Sequence, residues 1–265
     1  MTGQRNMTTV SPPDERGVAR HEPARLGLIL PMDNAVLEPE YAALQLTEAT
    51  THAARLTTDE RDDMPTNGIE ISAVFNELGV DAIGYACAET SFLGGIDANA
   101  YISREITRVT GRPAVTAIAA MVEALTALTA SRVAVAAPYR ESSAVALTDY
   151  LVSVGVDVVA LEHRDFSEQS SDPREWFETN RQPPQTAYDM ATRVDTSEAE
   201  CIVIAATNLR SLSVLPRLEA TLGKPVISTN SALLWALLER AGITSPRLDR
   251  GRLVAGVAPS EGGSA

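Results

Sequence analysis

The chain has 265 residues, of which 45% are hydrophobic and 22% are charged, and its formal net charge is −13. This length suits one large α/β domain or two lobes of about 100–150 residues each. The acidity argues against a nucleic-acid or anionic-membrane partner, and two cysteines are too few for a disulfide framework, so we expect a cytoplasmic protein.

Neither end of the chain carries a long apolar run. Residues 1–22 lack the apolar stretch of a signal peptide and are expected to form a disordered tail, as are residues 259–265. No apolar run approaches the roughly 20 residues that a membrane-spanning helix needs. We therefore expect no membrane association.

Short apolar runs predict buried strands, and the stretches between them predict helices. The strands are expected at 25–30, 80–86, 114–117, 132–137, 156–161, 201–205 and 225–228. The helices are expected at 98–109, 119–130, 142–154, 185–194, 212–222 and 231–241. This alternation indicates βα units and a mainly parallel sheet.

An internal repeat gives the stronger organisational signal. Three blocks of the first half resemble three blocks of the second half in the same order: 25–31 and 132–138, 81–87 and 200–206, and 109–115 and 221–227. The repeat predicts an α/β fold with two pseudo-symmetric lobes, each with a mainly parallel sheet flanked by helices. We expect one lobe at 23–117 plus 225–258 and the other at 118–224. General likeness among βα units is the alternative explanation.

Polar residues follow several of the predicted strands, where open α/β sheets bind their ligands. Facing lobes would bring these residues to one interlobe cleft, which we predict is the active site. Cys87 stands at such a strand end, where a following helix would lower the pKa of its thiol. Further candidates supply hydrogen-bond donors. Tyr139 is a candidate proton carrier. The candidate substrate-binding residues are Asn34, Ala88, Thr207, Asn208 and Asn230.

Each candidate also has an ordinary structural explanation. Cys87 could be a small buried hydrophobic residue, and Tyr139 could pack over a strand end. The asparagines could be turn residues or helix caps. The three histidines have no metal-ligand spacing, and no glycine-rich phosphate loop is present, so we expect neither a metal nor a cofactor.

Four segments, taken in order, resemble maleate cis-trans isomerase and its relatives in the aspartate/glutamate racemase superfamily. They are Pro31-Met32-Asp33-Asn34, Tyr85-Ala86-Cys87, Ala137-Pro138-Tyr139 and the run from Ile204 to Arg210. The resemblance extends over residues 25–255. The superfamily also includes arylmalonate decarboxylase and ectoine-utilisation proteins of the maleate-isomerase-like type.

The resemblance implies two α/β lobes around one site and a small carboxylate as substrate. It implies that Cys87 attacks the double bond of maleate, that Asn34 and Tyr139 bind the substrate carboxylates, and that the second cysteine of the family falls at Ala206. Asn180 is a weak match for a further asparagine of the family. Since alanine transfers no proton, racemisation is disfavoured, and isomerisation through a Cys87 adduct is the favoured hypothesis.

Two other functions stay open on the sequence. One is a lyase, decarboxylase or ectoine-catabolism protein that acts on another small carboxylate. The other is a binding protein for a small metabolite, without turnover. The sequence leaves open whether the chain forms a homo-oligomer.

Overall fold

The computed structural model describes residues 22–169, 175–243 and 251–255. The two predicted tails lie outside this part of the chain, except for residue 22. The described strands are β1 (Ala24–Leu30), β2 (Ala49–Arg55), β3 (Ala82–Tyr85), β4 (Ala114–Thr116), β5 (Arg132–Ala137), β6 (Asp157–His163), β7 (Cys201–Ile204) and β8 (Val226–Ser228).

Helices connect the strands throughout the described chain. They are α1 (Leu37–Ala42), α2 (Met64–Ile71), α3 (Val74–Leu78), α4 (Ala88–Leu93), α5 (Gly95–Thr110), α6 (Ala117–Ala127), α7 (Glu141–Ser153), α8 (Glu175–Thr179), α9 (Pro184–Val194), α10 (Leu215–Leu222), α11 (Thr229–Arg240) and α12 (Arg252–Ala255). Two short 3₁₀ turns lie at Phe166–Gln169 and Leu212–Val214.

The strands form two four-stranded sheets with the same topology. The first has the order β2-β1-β3-β4 and the second has the order β6-β5-β7-β8, and every described pairing is parallel. The central strands β3 and β7 are buried at every position, because helices cover both faces of a parallel sheet. The predicted α/β fold with two similar lobes is confirmed.

The hydrogen-bond register matches the repeat residue by residue. Ile29 of β1 pairs with Tyr85 of β3, and Ala136 of β5 pairs with Ile204 of β7. One residue further on, the N–H of Ala86 donates to Ile29 O and the N–H of Ala205 donates to Ala136 O, both at 2.8 Å. The next residues are Cys87 and Ala206, which therefore occupy equivalent positions in the two lobes.

The third repeated block is a helix end that only glycine forms without strain. Gly111 ends α5 with φ of 64°, and Gly223 ends α10 with φ of 71°, both in the left-handed region. Each glycine turns the chain into a short strand, β4 in one lobe and β8 in the other. The sequence likeness at 109–115 and 221–227 thus reflects a shared turn.

The two lobes exchange a helix. Helix α6 follows β4 of the first sheet, but Ile118 and Leu125 on it pack in one cluster with Val133 and Val203 of the second sheet. Helix α11 follows β8 of the second sheet and lies on the first. There Leu233 Cδ1 would be only 3.0 Å from a Cβ at Gly84, so the absence of a side chain permits this approach.

The lobe boundary predicted at residue 225 is displaced by one strand. Residues Ile202–Ile204 of β7 pair with β8, so Val226–Ser228 belongs to the second sheet and the crossing begins with α11. Ala117, the last residue predicted for the first lobe, begins α6. The predicted division into two lobes, changed at β8 and at Ala117, stays a proposal.

Strand β2 and helices α1, α2, α3, α4, α8 and α12 were not predicted. Strand β2 is an edge strand whose residues alternate irregularly between buried and exposed, so it carries no apolar run. Among the described helices, none has both the length and the apolar character that crossing a bilayer requires.

Candidate functional site

A cavity of about 680 Å³, open to solvent, lies between the carboxyl ends of the two sheets. Its described lining combines both lobes: Pro31, Met32, Asp33, Asn34, Asp59, Arg61, Met64, Cys87, Ala88, Glu89, Thr90, Pro138, Tyr139, Thr179, Ala206, Thr207 and Asn208. Of the predicted site residues, the structure brings all but Asn230 to this cavity.

Cys87 lies on the cavity wall and is buried, with 7% of its surface exposed. It lies two residues after the end of β3 and is the extended N-cap residue of α4. The pKa of the Cys87 thiol is raised to about 11, and burial is the main cause; hydrogen bonds to Thr90 lower this pKa, and the nearby Glu89 and Asp33 carboxylates raise it. The expected lowering of this pKa is wrong, because desolvation outweighs the donors at the helix start.

Thr90 connects Cys87 to a buried phenol. The Tyr85 and Thr90 hydroxyl oxygens are 2.7 Å apart, and the Thr90 hydroxyl and N–H also lie at the Cys87 sulfur. Tyr85 is fully buried against Gly68, where a Cβ would approach its ring to 2.6 Å. This packing fixes the Tyr85 hydroxyl and, through Thr90, the surroundings of the thiol.

The floor of the cavity is a hydrogen-bonded link between the lobes. The Thr207 hydroxyl donates to Ala86 O at 2.9 Å and accepts from Asn34 Nδ2 at 3.1 Å. Asn34 Oδ1 accepts from the N–H groups of Val36 and Leu37 at 3.0 and 3.1 Å, which caps the start of α1. The Thr207 hydroxyl proton is therefore committed to Ala86, and Asn34 keeps one amide N–H for a ligand.

Tyr139, Ala88 and Asn208 lie on the lining as predicted. Tyr139 is 6% exposed, and its ring centroid lies 6.0 Å from that of Phe92, so its position is fixed by packing. Ala88 opens α4 next to Cys87 and presents its backbone N–H at the helix start. Asn208 follows Thr207 on the second-lobe side and is half-buried.

Ala206 lines the cavity on the side of the second lobe. It is 2% exposed and has φ of 76°, in the left-handed region that residues with a side chain rarely adopt. Such strain costs about 1–2 kcal/mol and persists at functional sites where the surrounding structure imposes it. The chain next forms a turn and reaches a helix only at α10, in contrast to α4 directly after Cys87.

Asn230 is not part of the lining, so the structure does not bring it together with the other predicted substrate-binding residues. It lies inside α11, beyond the Ser228 cap, and is fully buried. Its Nδ2 donates to Glu40 Oε2 at 2.7 Å, and its backbone carbonyl accepts from the Tyr41 hydroxyl at 2.8 Å. The sequence suggested a loop after β8, whereas a helix begins there at once.

Asn180, the weak match for a further asparagine, holds the loop after β1. Its Oδ1 accepts from the Ala35 N–H at 3.1 Å, and its Nδ2 donates to Asp33 O at 3.1 Å and to Asp33 Oδ2 at 3.4 Å. Asn180 thereby fixes Asp33 and Asn34, which both line the cavity.

Several lining residues were not predicted from the sequence to belong to the site. Asp59, Arg61 and Met64 follow the unpredicted strand β2, and Thr179 ends α8. Recognition of β2 would have placed the charged run after it at the same edge as the other strand ends. Among the described residues, no group of three or more histidine, cysteine, aspartate or glutamate side chains could hold a metal ion.

Comparison with known proteins places the chain in a family context. The arylmalonate decarboxylase (Amdase) family matches residues 26–254. A maleate isomerase of Geobacillus stearothermophilus is 22% identical over 254 residues, which cover 88% of this chain and 97% of that protein.

Solved structures share the fold over nearly their whole length. Maleate isomerase Iso from Pseudomonas putida S16, as a cysteine-to-alanine variant with maleate, is 25% identical with a TM-score of 0.79, covering 88% of this chain and 98% of that one. A maleate cis-trans isomerase of Nocardia farcinica, a cysteine-to-serine mutant with a covalently bound succinylcysteine intermediate, is 22% identical with the same TM-score and the same coverage.

Proposed function

We propose that this chain, which belongs to the arylmalonate decarboxylase family, is a cofactor-independent cis-trans isomerase. The substrate is a small acid with a cis double bond, such as maleate, and Cys87 is the nucleophile. The observation that carries the proposal is the position of Cys87, on the cavity wall at the end of β3, in the same lining as Asn34 and Tyr139.

The relatives support this choice of reaction. Curated relatives that match most of the chain are named maleate isomerases, and a succinylcysteine is the product expected from addition of a thiol to maleate. Thiol addition to an electron-poor double bond needs no metal or redox cofactor.

The proposed reaction adds the S–H group of Cys87 across the double bond. The sulfur bonds to one alkene carbon, the π electrons move to the other, and the adjacent carboxylate delocalises the charge that develops there. A proton then reaches that carbon, rotation about the new single bond follows, and loss of the proton with expulsion of the thiolate gives the trans acid. Atoms and protons balance without a co-reactant, because a thiol with a pKa near 11 brings its own proton.

Neutral donors bind the substrate and carry the proton in this scheme. The remaining N–H of Asn34 Nδ2 donates to a substrate carboxylate, and the backbone N–H of Ala88 donates to the charge that develops beside Cys87. Tyr139 transfers the proton between sulfur and carbon. Thr207 positions Asn34 and the end of β3 instead of binding the substrate through its hydroxyl.

Ala206 leaves the second lobe without an ionisable group at the position equivalent to Cys87. We infer that it stands where two-thiol relatives carry their second cysteine. Racemisation needs an acid and a base on opposite faces of one carbon, so this replacement favours addition and elimination through one thiol.

The test is proton NMR of maleate in D₂O with the unmodified protein, Cys87→Ser and Cys201→Ala. We expect fumarate from the unmodified protein and from Cys201→Ala, because Cys201 is buried at the start of β7, outside the cavity lining. Cys87→Ser should lose at least about a thousandfold in rate, the usual consequence of removing a nucleophile.

The outcomes separate the alternatives. Equal rates for Cys87→Ser and the unmodified protein would contradict the assignment of the nucleophile. Thermal stabilisation by maleate without fumarate would favour a binding protein. Release of CO₂ from an arylmalonate, with maleate unchanged, would favour a decarboxylase.

A further inference from the structure

Thr90 lies beside two buried side chains on one face of β3 and its continuation. Tyr85 and Cys87 alternate with Ala86 along the chain, so their side chains point to the same face, and both belong to one hydrophobic cluster. Cys87 is the N-cap residue of α4, and Thr90 is the third residue of that helix. At this position the backbone N–H faces the side chain of the N-cap residue, and the side chain reaches back towards it.

Burial sets the direction of the hydrogen bond between Tyr85 and Thr90. The two hydroxyl oxygens are 2.7 Å apart, and within the described ranges Thr90 is the sole hydrogen-bond partner of the Tyr85 hydroxyl. Tyr85 is 0% exposed, and an unpaired phenol O–H is costly in such a place. The Tyr85 O–H therefore donates to Thr90 Oγ1, and the Thr90 hydroxyl keeps its own proton for another acceptor.

The Cys87 sulfur is the acceptor that remains for the Thr90 hydroxyl. Threonines inside helices commonly donate to the carbonyl four residues earlier, as Thr107 and Thr110 do in α5. Among the described contacts of Thr90 there is no such bond to Ala86 O. Hydrogen bonds of the Thr90 hydroxyl and N–H to Cys87 instead lower the pKa of the thiol, against the burial that raises it.

We propose that Thr90 is a catalytic residue whose hydroxyl donates a hydrogen bond to the Cys87 sulfur as negative charge develops there, and that Tyr85 is the positioning residue that directs this hydroxyl. The assignment rests on the proposed function and identifies the group that stabilises its leaving thiolate. When the adduct eliminates, the C–S bond breaks and its electron pair stays on sulfur. The Thr90 O–H bond stays intact, so the proton balance of the reaction is unchanged.

The sulfur needs such a donor because it is shielded from water. Cys87 is 7% exposed, and a buried charge is unfavourable unless it is hydrogen-bonded. The titratable groups that act on it are Glu89, Asp33 and Tyr85. Burial raises the pKa of Tyr85 well above its usual range, so the phenol keeps its proton and continues to donate. A hydrogen bond that ends on a charged atom is stronger than one between neutral groups, and Tyr85 polarises it further.

The experiment measures alkylation of Cys87 by iodoacetamide between pH 7 and pH 10 in variants of the full chain. Thr90→Val keeps the shape of the side chain and removes the hydroxyl, so the thiolate fraction and the rate should fall about tenfold at each pH. Tyr85→Phe should lower the rate about threefold, because it removes only the second donor of the chain. Thr90→Ser restores a hydroxyl and should bring the rate back to within about twofold of the unmodified protein.

Two control variants remove hydroxyl groups that do not act on the sulfur. The Ser91 hydroxyl, next to Thr90 on α4, donates to Ala88 O at 2.7 Å, and the Tyr150 hydroxyl accepts from Asn99 Nδ2 at 2.8 Å. Neither residue belongs to the described lining, so Ser91→Ala and Tyr150→Phe should leave the rate within about twofold. Thermal unfolding checks that each variant folds, and Thr90→Ala replaces Thr90→Val if that variant does not.

Binding and turnover show whether Thr90 acts on the sulfur or on the substrate. Thr90→Val should lower kcat for maleate about tenfold. In a Cys87→Ser background, isothermal titration should find maleate affinity unchanged within about twofold by Thr90→Val, because this hydroxyl serves the sulfur. Weaker binding in that background would make Thr90 a substrate-binding residue and overturn the assignment.

Three alkylation results would also overturn it: an unchanged rate after Thr90→Val, an equal loss after Ser91→Ala, or no recovery with Thr90→Ser. The alkylation result stands apart from the proposed function. Slower alkylation of Thr90→Val, with maleate isomerised by no variant, contradicts the function and keeps the hydrogen-bond chain. Isomerisation of maleate with unchanged alkylation does the reverse.

Discussion

The ends of β3 and β7 are equivalent in topology and different in chemistry. At the end of β3, Cys87 has an extended backbone, with φ of −108°, and leads straight into α4. At the end of β7, Ala206 has φ of 76°, and no helix follows at once. Equivalent positions in the two lobes thus have different roles: Cys87 presents a thiol, and Ala206 shapes the opposite wall of the cavity.

The second strand end still contributes, through hydrogen bonds instead of an ionisable group. Thr207, one residue after Ala206, joins Ala86 and Asn34 of the first lobe. This bond fixes the approach of the two lobes directly beneath Cys87. The second lobe, which has no thiol at this strand end, therefore fixes the position of the strand end that carries Cys87.

The reactivity of Cys87 with iodoacetamide should depend steeply on pH. A folded-state pKa of about 11 leaves about one molecule in 10,000 as thiolate at pH 7. Because the alkylation rate is proportional to the thiolate fraction, it should rise about a thousandfold between pH 7 and pH 10. At pH 7 it should be about a hundredfold below the rate of a thiol with a pKa near 9.

Mass spectrometry of the alkylated peptides distinguishes Cys87 from Cys201. Cys201 is buried, and burial is the main reason that its pKa is raised to about 12. Cys201 serves as the internal control and should react more slowly still. A rate that levels off near pH 8 would mean an activated thiolate, as the position of Cys87 at a helix start first suggested.

The second prediction restores the symmetry of the two strand ends. Ala206→Cys places a thiol at the position equivalent to Cys87 and should increase isomerase turnover at least about tenfold, a part of the roughly hundredfold or more that general acid–base catalysis contributes. Ala206→Ser is the control of similar size without the thiol. Turnover is measured under reducing conditions, and equal rates for both variants would show that the second wall takes no part in proton transfer.

Backbone strain at Ala206 should have a small, measurable effect on the free energy of unfolding. Ala206→Gly loses a buried methyl group, worth about 0.8 kcal/mol, but relieves left-handed strain of about 1–2 kcal/mol. Ala205→Gly loses a comparable methyl without that relief, since among non-glycine residues near this strand end only Ala206 has a positive φ.

Chemical denaturation should therefore find Ala205→Gly less stable than Ala206→Gly by about 1 kcal/mol or more. The same loss of stability in both variants would show that the surroundings of Ala206 carry no strain.

The sequence predicted the features that depend on buried apolar runs and on the repeat. Strands β3 and β7, the equivalence of Cys87 and Ala206, and the position of Tyr139 at a strand end all follow from such patterns. Burial, in contrast, was not predictable from the sequence, and it reverses the expected direction of the pKa shift at Cys87.

The misplaced and missing site residues share a cause in local structure. Edge strand β2 has too few apolar residues to be recognised, so Asp59 and Arg61 after it were not connected with the cavity. Asn230 looked like a loop residue, but Ser228 and Ser231 form a capping box that begins α11 immediately. An edge strand without an apolar run decided the first case, and a capping box decided the second.

The exchange of α6 and α11 bears on how such a chain can be divided. Each sheet is covered by a helix that the other half encodes, and the two helices are joined by Arg240 and Glu123, whose bidentate contacts are 2.9 and 2.7 Å long. A fragment ending after either half would expose the face from which its partner helix had been removed. The connectivity is that of a domain-swapped dimer fused into one polypeptide, in which a single half completes its core only when two copies associate.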